Sequence, residues 1–250
     1  MNRLALSPDG IAESYQQSVV GCQPEGLPDR RKPIAESPRR PPHAIFVPMH
    51  YEPGYAYPLV VWLHGSTGNE HQLRKVMPLV SVRNYVAIAP RASSAERRRR
   101  DAFRWRQTSD AIEEADARVF DCIAIAERRF NIHRRRVFLA GFGSGGTMAM
   151  RIAWSNPGRF AGVASIGGAL PSRGCPLSRV NELRQLPCLL ATTRASRAYP
   201  ESRVCQDLRL LHSAGCTVAL RQYPGGDELT TGMLADFDRW MMELVCGSQQ

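Results

Sequence analysis

The stretch RVFLAGFGSGGTMAMRIAW, residues 136–154, decides the fold of this chain. It runs from an apolar segment through a cluster of glycines into a helical pattern, which is typical of a strand that turns sharply into a helix. In open α/β sheets, functional sites gather at the carboxyl ends of the parallel strands, where such turns lie. The stretch therefore predicts both a fold class and the position of a site.

Apolar runs separated by helical patterns continue this alternation on both sides of the stretch. The predicted strands cover residues 44–48, 59–65, 85–90, 137–141, 162–168, 188–192 and 217–223. Strands that alternate with helices favour a mostly parallel α/β sheet flanked by helices on both faces. We expect this domain to occupy residues 44–250. The preceding residues 1–43 are rich in proline and arginine, and we expect them to form a flexible arm.

Composition excludes several classes of protein. Of the 250 residues, 43% are hydrophobic and 22% are charged, which is typical of a globular chain. The net charge is +10, but the arginine runs are short and carry no interleaved aromatic residues, so we expect no nucleic-acid partner. Seven cysteines without a CxxC pair favour neither a disulfide framework nor a metal site. We expect no cofactor, no membrane span and a cytoplasmic location.

The glycine cluster allows a dinucleotide-binding interpretation. Gly141, Gly143 and Gly146 spell G-x-G-x-x-G between a strand and a helix, where backbone N–H groups can meet a pyrophosphate. Two features oppose this interpretation. At least three predicted strands precede the motif, and no Asp or Glu occurs between Ile152 and Asn181, where a ribose-binding acid is expected.

A nucleophile elbow is the second interpretation, and here the chain resembles a known family. The segment PLVVWLHGSTGNEHQL (58–73) resembles the oxyanion-loop segment of the carboxylesterase, phospholipase and acyl-thioesterase branch of the α/β-hydrolase fold. The segment RVFLAGFGSGGTMAMRIAWSNPGRFAGVASIGGALP (136–171) resembles the elbow, helix and following strand of that branch. The resemblance extends over about residues 44–246 and implies an α/β-hydrolase sheet.

The same resemblance implies that the Ser-His-Asp triad is substituted. The elbow of the family reads G-F-S-x-G-G, whereas this chain reads G-F-G-S-G-G from Gly141, which places Gly143 at the nucleophile position. The acid position falls at Ser196, and Asp227 stands where the family has its histidine. No histidine follows His212 in the chain, so no triad base is expected at its usual place.

The oxyanion donors are backbone groups and need no particular side chain. The resemblance places them at the N–H groups of Ser66 and Ser144, with His64 and Gly65 beside them in the pocket. We expect a structural hydrogen bond at His64. The leading hypothesis is a pseudo-hydrolase that retains a pocket for a small ester, acyl or anionic ligand.

Two alternatives remain open. The first is an active carboxylic-ester hydrolase in which Ser144 is the nucleophile and Asp227 or Glu228 is the base, since adjacent carboxylates can raise one pKa. The second is an adaptor that binds an acidic partner through Arg97 to Arg100 and Arg134 to Arg136.

Overall fold

The computed structural model describes residues 42–96, 99–172 and 180–247. Seven strands form one sheet in the order β1-β3-β2-β6-β7-β8-β9. The strands are β1 (His43–Phe46), β2 (Tyr57–Leu63), β3 (Val86–Pro90), β6 (Ile132–Phe142), β7 (Gly162–Ile166), β8 (Cys188–Thr193) and β9 (Val218–Tyr223). Only β1 runs antiparallel to its neighbour, β3, and every other pair in this sheet is parallel. The predicted mostly parallel sheet is confirmed.

The central strands are buried along their whole length. Every residue of β2, β3, β7 and β8 is buried. Their sequences are almost continuously apolar because both faces of the sheet are covered. The edge strand β9 is only half-buried, and its sequence VALRQY is correspondingly more polar.

Helices cover both faces of the sheet. The helices are α1 (Gln72–Val80), α2 (Ser109–Arg129), α3 (Ser144–Ser155), α4 (Val180–Leu183), α5 (Glu201–Ser213) and α6 (Thr231–Gly247). One core cluster joins α1 and α6 to alternate strand residues such as Val60 and Trp62. The other core cluster joins α2 and α3 to the strand residues on the opposite face of the sheet, such as Leu59 and Val61. This two-layer covering confirms the predicted arrangement of helices.

A small two-stranded sheet was absent from the sequence prediction. It consists of β4 (Ser94–Glu96) and β5 (Arg99–Arg104), which pair antiparallel. Arg97 and Arg98, which belong to the arginine run of the adaptor hypothesis, lie outside the described residues. Residues 1–41 of the expected arm lie outside them too.

The topology brings the carboxyl ends of six parallel strands to one edge of the large sheet. The loops that follow β2, β6, β7, β8 and β9 therefore meet there, as expected for the site of an α/β sheet. In the part of the chain that the structure describes, no helix is both long and apolar enough to cross a membrane.

Candidate functional site

The turn between β6 and α3 is centred on Gly143. This residue has φ 52° and ψ −120°, a conformation that residues with side chains rarely adopt. Its N–H donates to the carbonyl of Ile166, 2.8 Å away, so that the turn is tied to the end of β7. A Cβ atom added at Gly143 would meet no atom within 4 Å. The sharpest point of the turn therefore faces open space and carries no side chain.

The glycines on either side of Gly143 are required for close packing. A Cβ at Gly141 would lie 2.5 Å from the carbonyl carbon of Gly145. A Cβ at Gly145 would collide with the carbonyl oxygens of Leu63 and His64. The two glycines stand two residues before and two residues after Gly143, the positions at which a nucleophile elbow needs small residues. The observed turn thus has the register that places Gly143, and not Ser144, at its centre.

Ser144 is the first residue of α3 and lies beside the turn. Its Oγ accepts a hydrogen bond of 3.0 Å from the Oγ of Ser66, so the elbow meets the loop after β2. A serine hydroxyl is not a base at neutral pH, and this contact does not activate Ser144 as a nucleophile.

Ser196 and Asp227 are brought into direct contact. The hydroxyl of Ser196 donates to Oδ1 of Asp227 at 2.5 Å. The backbone N–H groups of Arg197 and Ala198 donate to Oδ2 and Oδ1 of the same carboxylate at 3.2 and 3.3 Å. The two residues that the resemblance assigns to the acid and base positions therefore hold two loops together, and we call this group of bonds the loop clamp.

The loop clamp determines the protonation of Asp227. The hydrogen bond from Ser196 lowers the pKa of the Asp227 carboxyl, and the N–H groups of Ala198 and Arg197 lower it further. Asp227 is therefore an ionised and weakly basic carboxylate at neutral pH. The expectation that neighbouring acidic residues raise its pKa is wrong at this position.

His64 is completely buried, and both of its ring nitrogens contact the backbone. Nδ1 lies 2.9 Å from the carbonyl oxygen of Gly65, and Nε2 lies 3.2 Å from the N–H of Ala92. Nδ1 thus carries the proton while Nε2 accepts, and burial lowers the pKa of the imidazole. The structural role expected for His64 agrees with this geometry.

These loops surround a cleft of about 420 Å³. Its walls include four of the residues singled out in the sequence, namely Ser66, Gly143, Ser144 and Asp227. The rest of the lining is small or apolar: Phe142, Thr147, Gly167, Gly168, Ala169 and Ala198.

Three residues expected at the pocket lie behind its walls. His64 is enclosed by its backbone partners and by Trp105, whose ring centroid lies 5.2 Å away. Gly65 is covered by the ring of Phe142, and Ser196 is 7% exposed and faces Asp227. The placement of His64 and Gly65 in the pocket is therefore corrected: they support its wall.

The amides of Ser66 and Ser144 are available to a ligand. Among the described residues, neither N–H donates to another group of the chain. Both residues line the cleft, and Ser144 begins a helix of 12 residues, whose first N–H groups have no partner within the helix. These two amides are therefore the candidate backbone donors for a carbonyl or carboxylate oxygen.

Sequence reasoning missed the ion pair that holds the loop after β2. Two of the guanidinium nitrogens of Arg91, Nε and Nη2, donate to the Glu70 carboxylate, at 2.6 and 2.5 Å. Burial is the largest single influence and acts to raise the pKa of Glu70, but the hydrogen bonds and charge of Arg91, together with a backbone hydrogen bond and the nearby His71, outweigh it and lower the pKa. Arg91 directly follows β3. A charged residue at the carboxyl end of a parallel strand was the feature of the sequence that could have indicated this ion pair.

No group of three or more histidine, cysteine, aspartate or glutamate side chains in the described ranges has the arrangement of a metal site. Two of the three glycines of the G-x-G-x-x-G pattern, Gly141 and Gly146, are needed for internal packing, since a Cβ at Gly146 would lie 2.5 Å from Oγ of Ser165 and one at Gly141 would meet Gly145.

The sheet order, the elbow and the loops around the cleft define an α/β-hydrolase. Similar solved structures include a carboxylesterase from Bacillus cereus, with TM-score 0.66 and 16% identity over 83% of this chain and 96% of that chain. A carboxylesterase from Mesorhizobium loti has TM-score 0.62 and 19% identity over 75% of this chain and 90% of that one.

The chain belongs to the Esterase family. The model of this family, described as "Putative esterase", matches residues 35–215. A curated relative, "Putative esterase NocK" of Nocardia uniformis subsp. tsuyamanensis, is 28% identical over 181 residues. That match spans 65% of this chain and 50% of the relative, so the chain spans about half the length of the curated relative it matches.

Proposed function

We propose that this esterase-family chain is a non-catalytic member that binds a small acyl compound in the cleft. The observation that carries the proposal is that the centre of the elbow has no side chain. Gly143 has the strained conformation at the centre of the turn and offers no nucleophile. Covalent ester hydrolysis needs a nucleophilic side chain at that point and a base within hydrogen-bond reach.

The position of the base supports the same proposal. Asp227 stands at the base position, but it is ionised and three donors of the loop clamp already bind it. General base assistance contributes roughly 10²- to 10⁴-fold to such reactions, and a carboxylate of lowered pKa provides little of it.

The cleft is better suited to an acyl carbonyl than to an anion. The amides of Ser66 and Ser144 are two free donors for one carbonyl oxygen, and Phe142 and Ala169 provide apolar contact for the acyl chain. Among the described residues of the lining, Asp227 is the only one with a charged side chain, and its negative charge opposes an anionic ligand. Of the ligand classes expected from the sequence, we therefore favour the acyl compound.

The test is a comparison of turnover and binding in the native protein and in Ser144→Ala. With short-chain nitrophenyl esters, we expect both proteins to give no turnover above the buffer rate. A non-hydrolysable acyl amide such as pentanamide should shift the amide resonances of Ser66 and Ser144 in a saturable manner. Saturable turnover by the native protein that disappears in Ser144→Ala would establish the rival proposal, an active hydrolase with Ser144 as nucleophile.

A further inference from the structure

The carboxylate of Asp227 has one acceptor position left. A carboxylate offers about four lone-pair sites, two on each oxygen. Oδ1 receives the hydroxyl of Ser196 and the N–H of Ala198, whereas the N–H of Arg197 is the single donor to Oδ2 among the described residues. Oδ2 can therefore accept one more hydrogen bond. Asp227 is exposed and lines the cleft, so a ligand bound there can donate to this position in place of solvent water.

The cleft presents opposite chemistry at two places. The amides of Ser66 and Ser144 are donors without acceptors, while Asp227 carries negative charge and a free acceptor site. Between them the lining is apolar or uncharged, with Phe142 and Ala198 among its residues. A ligand complementary to both places has an oxygen acceptor at one end and a positively charged donor at the other.

We propose that the ligand of this cleft is a cationic acyl compound, an amide or ester of a small amino acid. Its carbonyl oxygen lies at the amides of Ser66 and Ser144, and its ammonium group donates to Oδ2 of Asp227. This inference rests on the proposed function and specifies its ligand class. In the family pattern a histidine takes the place of Asp227, so the ammonium-binding property belongs to this chain's own substitution.

The neighbouring charges leave this preference in place. The positive charge of Arg197 lies near Asp227, but its side chain is exposed, and solvent screens such charges strongly. Glu228 adds a second negative charge beside Asp227 in the sequence, although it is not part of the lining. Of the charged side chains in the described part of the chain, Asp227 is the one that lines the cleft, so it is the charge that the proposed ligand would contact.

Three amides test the inference by NMR titration of the native protein. They are 4-aminobutanamide, which is cationic, pentanamide, its neutral isostere, and succinamate, which is anionic. We expect 4-aminobutanamide to bind roughly 3- to 5-fold more tightly than pentanamide, which is the upper range of what an exposed ion pair contributes. Succinamate should bind most weakly. In Asp227→Asn the preference for the cation should fall below about 2-fold.

Asp236→Asn is the matched control, because it makes the same chemical change on α6, where Asp236 binds Tyr223 and Arg239. It should retain the preference for the cation. Equal affinities of the native protein for the cationic and neutral amides would overturn the inference and leave the proposed function standing. No saturable shift from any of the three amides would overturn the proposed function, and the inference with it.

Discussion

The backbone frame of the cleft keeps the features of an α/β-hydrolase elbow, whereas the three positions that the resemblance assigns to the triad do not keep the triad's side chains. Gly141 and Gly145 allow contacts that no larger residue could make, so the frame keeps the packing of an elbow. At the positions that the family resemblance assigns to the triad stand Gly143, Ser196 and Asp227. Gly143 has no side chain that could act as a nucleophile, and Asp227 is already bound by Ser196. Packing constrains the frame whatever the chemistry, whereas the reactive side chains are constrained only by the reaction. The frame and the reactive positions should therefore respond differently to substitution.

Gly145→Ala should give the largest effect. The added methyl group would enter the space of the Leu63 and His64 carbonyl oxygens, which belong to the backbone and cannot rotate away. We expect a loss of more than about 3 kcal/mol in the free energy of unfolding, measured by chemical denaturation. Gly158→Ala is the control, since a Cβ there meets nothing within 4 Å, and it should change stability by less than about 1 kcal/mol.

Glu70→Gln should give the next largest effect, because it breaks the ion pair behind the loop after β2. Glu70 is 2% exposed, whereas the side chain of Arg91 is 31% exposed, so solvent compensates part of the loss. We expect a decrease of about 2 to 3 kcal/mol in the free energy of unfolding. Glu114→Gln, which removes an exposed carboxylate paired with the half-buried Arg118, should cost less than about 1 kcal/mol. Equal losses in the two variants would contradict the anchoring role of Glu70.

Gly143→Ser should cost about 1 to 2 kcal/mol although the new side chain has room. The cost comes from the positive φ, which a residue with a Cβ atom adopts under strain. Gly158→Ser makes the same change where the structure gives no positive φ, and it should be close to neutral. A stabilised or unchanged Gly143→Ser protein in denaturant titration would show that Gly143 does not adopt the elbow conformation.

The smallest expected effect is a pH dependence of the free energy of unfolding, which His64 should cause. Burial lowers the pKa of His64 in the folded protein, while in the unfolded chain it stays near 6.5. The unfolded state therefore binds the proton first, and stability present above pH 6.5 is lost as the pH falls toward the folded-state pKa. The free energy of unfolding should change with pH by at most about 1.4 kcal/mol per pH unit. In His64→Gln the contribution of His64 to this pH dependence should vanish. An unchanged slope of the free energy of unfolding against pH would contradict that role.

The sequence was sufficient for the fold and for the register of the elbow, since both follow from local patterns. Buried strands read as apolar runs, and the glycine spacing around Gly143 identifies the turn. The loop clamp was not predictable, because Ser196 and Asp227 lie 31 residues apart and their contact depends on how two loops meet. The pair of Glu70 and Arg91 was missed for the same reason. The hairpin of β4 and β5 lacks the apolar runs that identified the other strands.

Position 143, and not Ser144, is expected to be the point of the elbow at which a nucleophilic side chain would react. The most direct measurement is fluorophosphonate labelling, with the modified residue located by peptide mass spectrometry. The native protein and the combined variant Gly143→Ser, Ser196→Asp, Asp227→His should be labelled in parallel. We predict no label on the native protein and a single label at position 143 of the variant. Stoichiometric labelling of Ser144 in the native protein would contradict the account.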